Sequence, residues 1–246
     1  MSNAAEPFVA QHAVPQGVVA TRWWWVRHAP VREDGGCIYG QQDIGCDTSD
    51  RAVFEAVGRI LPRHAVWFAS HLRRTHQTAE AIWSAGFPRP ERLHQEAALA
   101  EQHLGQWQGL NRAAFFASRP IEVGSYWFAP IDEPSPGGES FMDLYSRVRG
   151  AIERINSDHA GRDVIAVAHG GTIKAAIGLA LGEQPGKGLA FTIDNCSVTR
   201  LDHLASPSHN GWRLPMVNQQ PWIADASHAA MHQPAGPEIA TASKLA

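Results

Sequence analysis

Short runs of consecutive apolar residues alternate along the chain with segments in which apolar residues recur every three or four positions. The runs lie at 23–26, 65–69 and 164–168, and continuous apolar runs of this length predict strands buried on both faces. Apolar residues recur at helical spacing in 49–61, 73–85, 141–155 and 172–181. Such alternation predicts an α/β fold, a three-layer sandwich with a mostly parallel central sheet and helices on both faces. The segments 197–204 and 212–217 predict a late strand pair.

One segment, at about residues 111–138, interrupts the alternation of strands and helices. It contains several aromatic residues and the turn cluster Pro-Ser-Pro-Gly-Gly at 134–138. We therefore predict an inserted cap segment that lies over one end of the sheet. For the whole chain we predict an N-terminal arm at 1–20, a single domain at 21–218 that includes the cap, and a C-terminal tail at 219–246.

Composition and charge exclude several classes of protein. Of the 246 residues 44% are hydrophobic and 18% are charged, which indicates a globular chain and not a disordered one. The formal net charge of −3 argues against nucleic acid or a membrane surface as partner. No apolar run is long enough to span a bilayer. The first twenty residues do not resemble a signal peptide and there are only three cysteines, so we expect a cytoplasmic protein.

Cationic side chains follow three of the predicted strands. Arg27 and His28 end the first strand, Arg73 and Arg74 follow the second, and His169 and Gly170 follow the strand at 164–168. Ligands of open α/β sheets bind beyond the carboxyl ends of the strands. The Gly-Gly turn after His169 would let backbone N–H groups approach a phosphate. Together these strand ends predict an anion-binding site.

Phosphoryl transfer is the chemistry that such a set of residues can perform. A neutral imidazole can act as the covalent nucleophile, and fixed cations stabilise the charge on the transferred group. The leaving alkoxide needs a proton donor, and Glu101 is a candidate because it precedes a loop with glycines at 105 and 109. Two arginines would replace the charge of a metal ion, so we predict neither a metal nor a cofactor. His228 and His232 have helical metal-ligand spacing, but in a chain with 13 histidines we attribute this to chance.

Five motifs occur in an order that resembles the histidine phosphatase superfamily, in its phosphoglycerate-mutase-like branch. The motifs lie at 27–28, 70–79, 99–109, 137–140 and 169–172. The resemblance implies that His28 is the nucleophile, that Arg27 and Arg74 (not Arg73) clamp the phosphate, that Glu101 is the proton donor, and that His169 contacts the phosphoryl oxygens.

The sequence also departs from the pattern of the family. Ala29 stands where a glycine is usual, and we expect it to have an ordinary φ with its N–H still available to the phosphate. A polar segment that usually follows is missing, and Tyr39 or Gln41 would supply the missing donor, in a segment similar to that of α-ribazole-phosphate phosphatases. The stretch at 126–130 is aromatic rather than basic, which argues against a mutase.

We therefore predict a metal-independent phosphomonoesterase that acts on a small phosphorylated metabolite through a phosphohistidine. Arg27, Arg74, Tyr39, Gln41 and Gly170 are the predicted substrate-binding residues. The aromatic insertion favours a partly apolar or aromatic alcohol as leaving group. An α-ribazole-phosphate phosphatase of cobalamin assembly, a phosphoglycerate mutase and a non-catalytic phospho-ligand-binding module stay open as alternatives, and a homodimer is possible.

Overall fold

The computed structural model describes residue 14, residues 16–119 and residues 127–223. One sheet organises these residues, in the strand order β3-β2-β4-β1-β5-β6. Its strands are β1 (Val19–Arg27), β2 (Val66–Ala69), β3 (Leu93–Gln95), β4 (Asp163–Ala168), β5 (Val198–Ser206) and β6 (His209–Gln219). The first four strands in this order are parallel, whereas β5 and β6 pair antiparallel. The mostly parallel sheet is confirmed, and so is the late strand pair.

Four helices lie in the segments that predict them, and two short helices, one in the cap and one after residue 181, are additional. They are α1 (Arg51–Ile60), α2 (Arg73–Ser84), α3 (Arg112–Ala117), α4 (Phe141–Asp158), α5 (Gly170–Ala180) and the single turn α6 (Pro185–Gly188). Helix α4 begins with a capping box, in which Ser140 and Asp143 each bond the backbone N–H of the other. Helix α5 begins two residues before the predicted start at Thr172, so that both glycines of the Gly-Gly turn belong to its first turn.

Helices cover both faces of the sheet, because alternate residues of each strand point to opposite sides. Trp23 and Trp25 of β1 belong to a core cluster that contains apolar residues of α4 and α5. Trp24 and Val26 belong to a second cluster, which contains apolar residues of α1 and α2. The predicted three-layer sandwich is therefore confirmed.

A third apolar cluster lies outside the two main cores and belongs in part to the predicted cap. Phe115 and Ala129 of the cap pack there with Ile38, Leu104 and Trp107. Residues 120–126 of the cap lie outside the described residues. So do residues 1–13 of the arm and residues 224–246 of the tail, including His228 and His232. In the part of the chain that the structure describes, no helix is long and apolar enough to cross a membrane.

Candidate active site

The carboxyl ends of three neighbouring strands bring the predicted cationic residues together. Strands β2, β4 and β1 are adjacent in the sheet, and Ser70, His169 and His28 directly follow them. The backbone N–H of His28 donates to the carbonyl of Ala168 at the end of β4 (3.0 Å). Strand β1 ends at Arg27. Successive residues within a strand point to opposite faces, so the end of the strand here allows Arg27 and His28 to face the same pocket.

His28 is a buried imidazole with one ring nitrogen engaged and one open. Its Nδ1 lies 2.8 Å from the carbonyl oxygen of Ala29, and because a carbonyl only accepts, Nδ1 carries the proton. Nε2 is then the unprotonated ring nitrogen, whose lone pair has no hydrogen-bond partner among the described residues. Burial, then the charges of Arg74 and Arg27, hold the pKa of His28 well below its ordinary value. The side chain is therefore neutral at physiological pH.

His169 has both ring nitrogens engaged by neighbouring side chains. Nε of Arg74 donates to Nδ1 of His169 (3.2 Å), so the proton of the neutral ring is on Nε2 and is donated to Oγ of Ser70 (2.8 Å). Burial and the charge of Arg74 lower the pKa of His169 well below its ordinary value. The rings of His169 and His28 lie 5.2 Å apart, centroid to centroid.

Arg74 is a fully buried guanidinium. It donates to the carbonyls of Gln42 (2.8 Å) and Gly40 (2.7 Å) as well as to His169, which uses three of its five N–H groups. Among the described residues it has no carboxylate within 4.0 Å. Burial lowers its pKa. A buried cation without an anionic partner is costly, and an anionic ligand would supply the missing charge.

Arg27 contributes a second guanidinium from the end of β1. One of its terminal nitrogens donates to the carbonyl of Ile193, whereas its buried Nε has no partner in the described structure. Gly170 lies against it, because a Cβ built on Gly170 would be 3.6 Å from this Nε. Arg27 and Gly170 line a cavity that Glu101 and Tyr39 also line, whereas His28, His169 and Arg74 are not among its lining residues.

Glu101 lies at the amino end of helix α5. Its two carboxylate oxygens accept from the backbone N–H groups of Gln102 (3.0 Å) and Gly171 (3.1 Å). The amino end of a helix favours a negative charge. Arg147 donates to the carbonyl of Glu101 (2.9 Å) and pairs with Glu139 of the 137–140 motif, so that motif fixes the backbone that carries Glu101.

Two predictions about the segment after His28 need correction. Ala29 has no positive φ, as expected, but its N–H donates to Oγ1 of Thr78 (2.8 Å) and is not available to a phosphate. The side chain of Gln41 is held by a partner within the protein. Its side-chain amide donates to the carbonyl of Glu101 (2.8 Å), so it supports the loop of Glu101 instead.

Tyr39 does line the cavity, with its ring 6.4 Å from that of His28. The ring also lies 5.2 Å from the guanidinium of Arg74. Arg73 is exposed and its backbone N–H donates to Asp43, so Arg74 is the buried member of the pair, as the resemblance implied.

The cavity has a volume of about 450 Å³ and contains residues that sequence reasoning missed. Asn195 lines it and donates to the carbonyl of His28 (2.8 Å). Lys174 lines it from α5, and its four-residue spacing from Gly170 was the available signal. Arg112 lines it too, paired with Asp34 (2.7 Å).

A larger cavity of about 970 Å³ lies near α4, the end of α5 and the β5–β6 hairpin, and none of the site residues described above lines it. We therefore place the chemistry in the smaller cavity. No group of three or more His, Cys, Asp or Glu side chains that could hold a metal ion occurs within residues 16–119 and 127–223.

Comparison with known proteins agrees with this geometry. The profile of the histidine phosphatase superfamily (branch 1) matches residues 23–220. A glucosyl-3-phosphoglycerate phosphatase of Mycobacterium tuberculosis is 32% identical in an alignment of length 218 that covers 81% of this chain and 95% of that protein. A 2,3-bisphosphoglycerate-dependent phosphoglycerate mutase of Gloeobacter violaceus is 29% identical over 180 residues, 72% of this chain and 82% of that protein. A solved mycobacterial glucosyl-3-phosphoglycerate phosphatase superposes with a TM-score of 0.68 at 27% identity, covering 81% of this chain and 99% of that chain.

Proposed function

The chain belongs to the histidine phosphatase superfamily and is a hydrolase of phosphate esters, and we propose that it works without a metal ion through a phosphohistidine on His28. The observation that carries this proposal is the state of His28. Its imidazole is neutral, its tautomer is fixed by Ala29, and the charges of Arg74 and Arg27 act on the ring. A nucleophilic imidazole needs all three features.

In the first step the Nε2 lone pair attacks the phosphorus and the bond from phosphorus to the leaving oxygen breaks. Glu101, in its protonated form, gives its proton to that oxygen. A carboxylate oxygen has two lone pairs, so each oxygen of Glu101 has one left for this exchange beside its bond to a backbone N–H.

In the second step Glu101, now ionised, takes a proton from a water molecule. The water oxygen attacks the phosphorus and the bond from phosphorus to Nε2 breaks. The products are inorganic phosphate and neutral His28, and Glu101 regains the proton that it gave up in the first step.

The charge on the transferred group would be balanced by the two arginines. Arg74 has two N–H groups without a protein partner, and Arg27 has its buried Nε. Because both guanidinium groups lie in or behind the cavity, they can perform the role that a metal ion has in other phosphoryl transfers.

The wall of the cavity supports a partly apolar leaving group. Tyr39, Trp127 and Phe128 line the cavity together with Ile38 and Leu104. Aromatic and aliphatic walls of this kind favour organic ligands over strongly hydrated ones. We therefore propose that the substrate is the phosphate ester of a small, partly apolar alcohol.

The test is hydrolysis of 4-nitrophenyl phosphate between pH 5 and 8 in excess chelator, with the parent and His28→Ala. We expect chelator-resistant turnover that falls to background in the variant. His64→Ala is the matched control, because His64 is exposed and remote from the cavity residues. Turnover that the chelator abolishes, or an active His28→Ala, would overturn the proposal.

A phosphoglycerate mutase is the second candidate, favoured by the 29% identity to the mutase of Gloeobacter violaceus. It predicts that 2- and 3-phosphoglycerate interconvert, with stimulation by 2,3-bisphosphoglycerate and without release of phosphate. Measuring both products in one reaction separates the two functions.

A further inference from the structure

The backbone of Arg27 and His28 is held by the turn at residues 194–197, which precedes β5. The side-chain amide of Asn195 donates to the carbonyl of His28 (2.8 Å). The backbone N–H of Cys196 donates to the carbonyl of Arg27 (2.9 Å). The nucleophile and one of the two arginines that bind the phosphate therefore take their positions from this turn.

The conformation of the turn is one that its residues do not favour on their own. Cys196 has a φ of 61°, in the left-handed region where the Cβ of an L-residue crowds the backbone. The turn is closed by a single backbone bond, from the N–H of Ser197 to the carbonyl of Asp194 (3.1 Å). A backbone of this kind keeps its shape only where surrounding residues support it.

The support comes from β6, through Asp194. Oδ2 of Asp194 accepts from the side-chain amides of Asn218 (2.7 Å) and Gln220 (2.8 Å). The backbone N–H of Asp194 donates to Oδ1 of Asn218 (2.6 Å). Asn218 thus binds both the backbone and the side chain of the first residue of the turn.

A β-bulge in β6 gives Asn218 this position. Val198 pairs with Gln219 and Arg200 pairs with Met216, so two steps along β5 correspond to three along β6. Asn218 lies in this interval with a φ of 56°, which asparagine adopts more readily than most residues with a Cβ. Bulges are common next to active sites, where they change the direction of a side chain.

We propose that Asp194 and Asn218 are positioning residues for the nucleophile, acting on His28 and Arg27 through the turn at 194–197. The inference rests on the proposed function, because it takes from it that His28 attacks the phosphorus. A displacement of about 1 Å in the reacting groups can cost about a hundredfold in rate. Loss of the bonds between Asp194 and Asn218 should therefore slow the reaction of every ester, whatever its leaving group.

The experiment exchanges the two groups of the pair and measures hydrolysis of 4-nitrophenyl phosphate and glycerol 3-phosphate. Asp194→Asn places two amides against each other, and Asn218→Asp places two carboxylates there. In the double variant the amide and the carboxylate have exchanged positions and can bond again, and aspartate tolerates the left-handed backbone as asparagine does. We expect each single variant to lose about ten- to a hundredfold in kcat, equally on both esters, and the double variant to recover most of that loss.

Matched controls make the same changes at exposed residues. Asp158→Asn at the end of α4 and Asn210→Asp in the β5–β6 hairpin are expected to keep the kcat of the parent. Thermal unfolding of every variant sets an assay temperature at which all of them are folded. If Asn218→Asp does not fold, Gln220→Leu replaces it, because it removes one of the two amide donors to Asp194 and should lower kcat in the same way.

The possible results separate this inference from the proposed function. If the parent hydrolyses both esters through His28 and the folded single variants keep its kcat, then the pair only stabilises the fold and the inference is overturned. A double variant that loses as much as both single variants combined also overturns it, because the two side chains would then not act through each other. A loss confined to glycerol 3-phosphate overturns it as well, since the effect would then be on the proton donor. A parent without His28-dependent hydrolysis overturns the proposed function, and this inference with it.

Discussion

His28 and His169 are neighbouring imidazoles whose hydrogen bonds give them different proton positions. The carbonyl of Ala29 keeps the proton of His28 on Nδ1, whereas Arg74 and Ser70 keep the proton of His169 on Nε2. Because of this difference, only His28 has an open nitrogen. His169 has no free N–H in this state, so we propose that it positions Arg74. It would contact the phosphoryl oxygens, as the resemblance implied, only after Arg74 releases Nδ1 and the ring takes up a second proton.

Replacing Glu101 by glutamine tests its role as proton donor. Loss of a general acid typically costs about 10²- to 10⁴-fold in rate, and an alkyl leaving group depends on the donated proton. We therefore expect Glu101→Gln to lose kcat/KM of this order on glycerol 3-phosphate. The loss on 4-nitrophenyl phosphate is expected to be much smaller, because nitrophenolate leaves without a proton.

The control for this variant is Glu91→Gln, which makes the same change at an exposed glutamate far from the residues of the cavity. Comparable losses on both esters in Glu101→Gln would remove Glu101 from the role of acid. Such a result would indicate that the carboxylate acts on a step shared by all substrates.

At the scale of elements, the amino end of α5 is the part of the fold on which the site depends most directly. Its first turn needs small residues, because a Cβ on Gly171 would lie 2.3 Å from Oε1 of Glu101. The nearest atom is the end of a flexible side chain, so alanine would displace the carboxylate and leave the helix in place. Thr172 then fixes the loop before Glu101 by donating to the carbonyl of Ala100 (2.9 Å).

Gly171→Ala is therefore expected to imitate Glu101→Gln. Activity on glycerol 3-phosphate should fall by about tenfold or more, since a misplaced proton donor loses part of its effect. The free energy of unfolding should change little. Alanine favours the helix by about 1 kcal/mol over glycine, and this gain offsets the cost of displacing the Glu101 carboxylate. Gly150→Ala on α4, where nothing lies within 4 Å, is the control. If Gly171→Ala keeps the activity of the parent on both glycerol 3-phosphate and 4-nitrophenyl phosphate, then Glu101 still donates its proton after the carboxylate is displaced.

The sequence predicts helices and strands best where the apolar pattern is long and is not interrupted by polar residues. Strand β4 and helix α4 lie where the pattern places them, since one is apolar throughout and the other has an apolar face over four turns. The apolar pattern predicts that α5 starts at Thr172, after two glycines, which are poor helix formers. The structure extends the helix back to Gly170, and the close approach of Glu101 requires a glycine at position 171.

From the residue pattern alone, the site could be predicted only for those residues that directly follow the ends of predicted strands. Arg27, His28 and His169 do so, as does the pair Arg73 and Arg74. The choice of Arg74 within that pair and the role of Glu101 came from the resemblance. The bond from Thr78 to Ala29 joins residues 49 positions apart, and that from Asn195 to His28 joins residues 167 positions apart. No local pattern carries such contacts, so the use of the Ala29 N–H by Thr78 was not foreseen.

At the scale of the whole molecule, the buried histidines link folding to pH. The pKa values of His28 and His169 are lowered well below the ordinary value, mainly by burial, and burial also lowers those of His94 and His203. The folded chain therefore holds these rings neutral, while the unfolded chain protonates them below about pH 6.5. Because the unfolded state then binds more protons, the free energy of unfolding should fall as the pH decreases from 7.5 to 5.5.

The two fully buried rings should dominate this change. Each neutral ring that protonates only on unfolding costs about 1.4 kcal/mol at pH 5.5, so His28 and His169 together account for about 3 kcal/mol. Asp34, Asp47, Glu139 and Asp143 are the carboxyl groups with lowered pKa values. Their contribution to stability is lost only at lower pH, below their ordinary pKa values. The interval between pH 7.5 and 5.5 therefore reports on histidines.

Urea unfolding at these two pH values, with the parent and two variants, checks the assignment. His28→Asn and His169→Gln place an amide N–H where each ring now donates, to Ala29 and to Ser70 respectively. Each variant is expected to reduce the difference in unfolding free energy between the two pH values by about 1.4 kcal/mol, whereas the exposed His64→Ala is expected to leave it unchanged. A double variant that keeps the full difference would mean that both rings are already protonated in the folded protein at pH 5.5. Such a result would contradict the lowered pKa of both rings, by a measurement that requires no substrate.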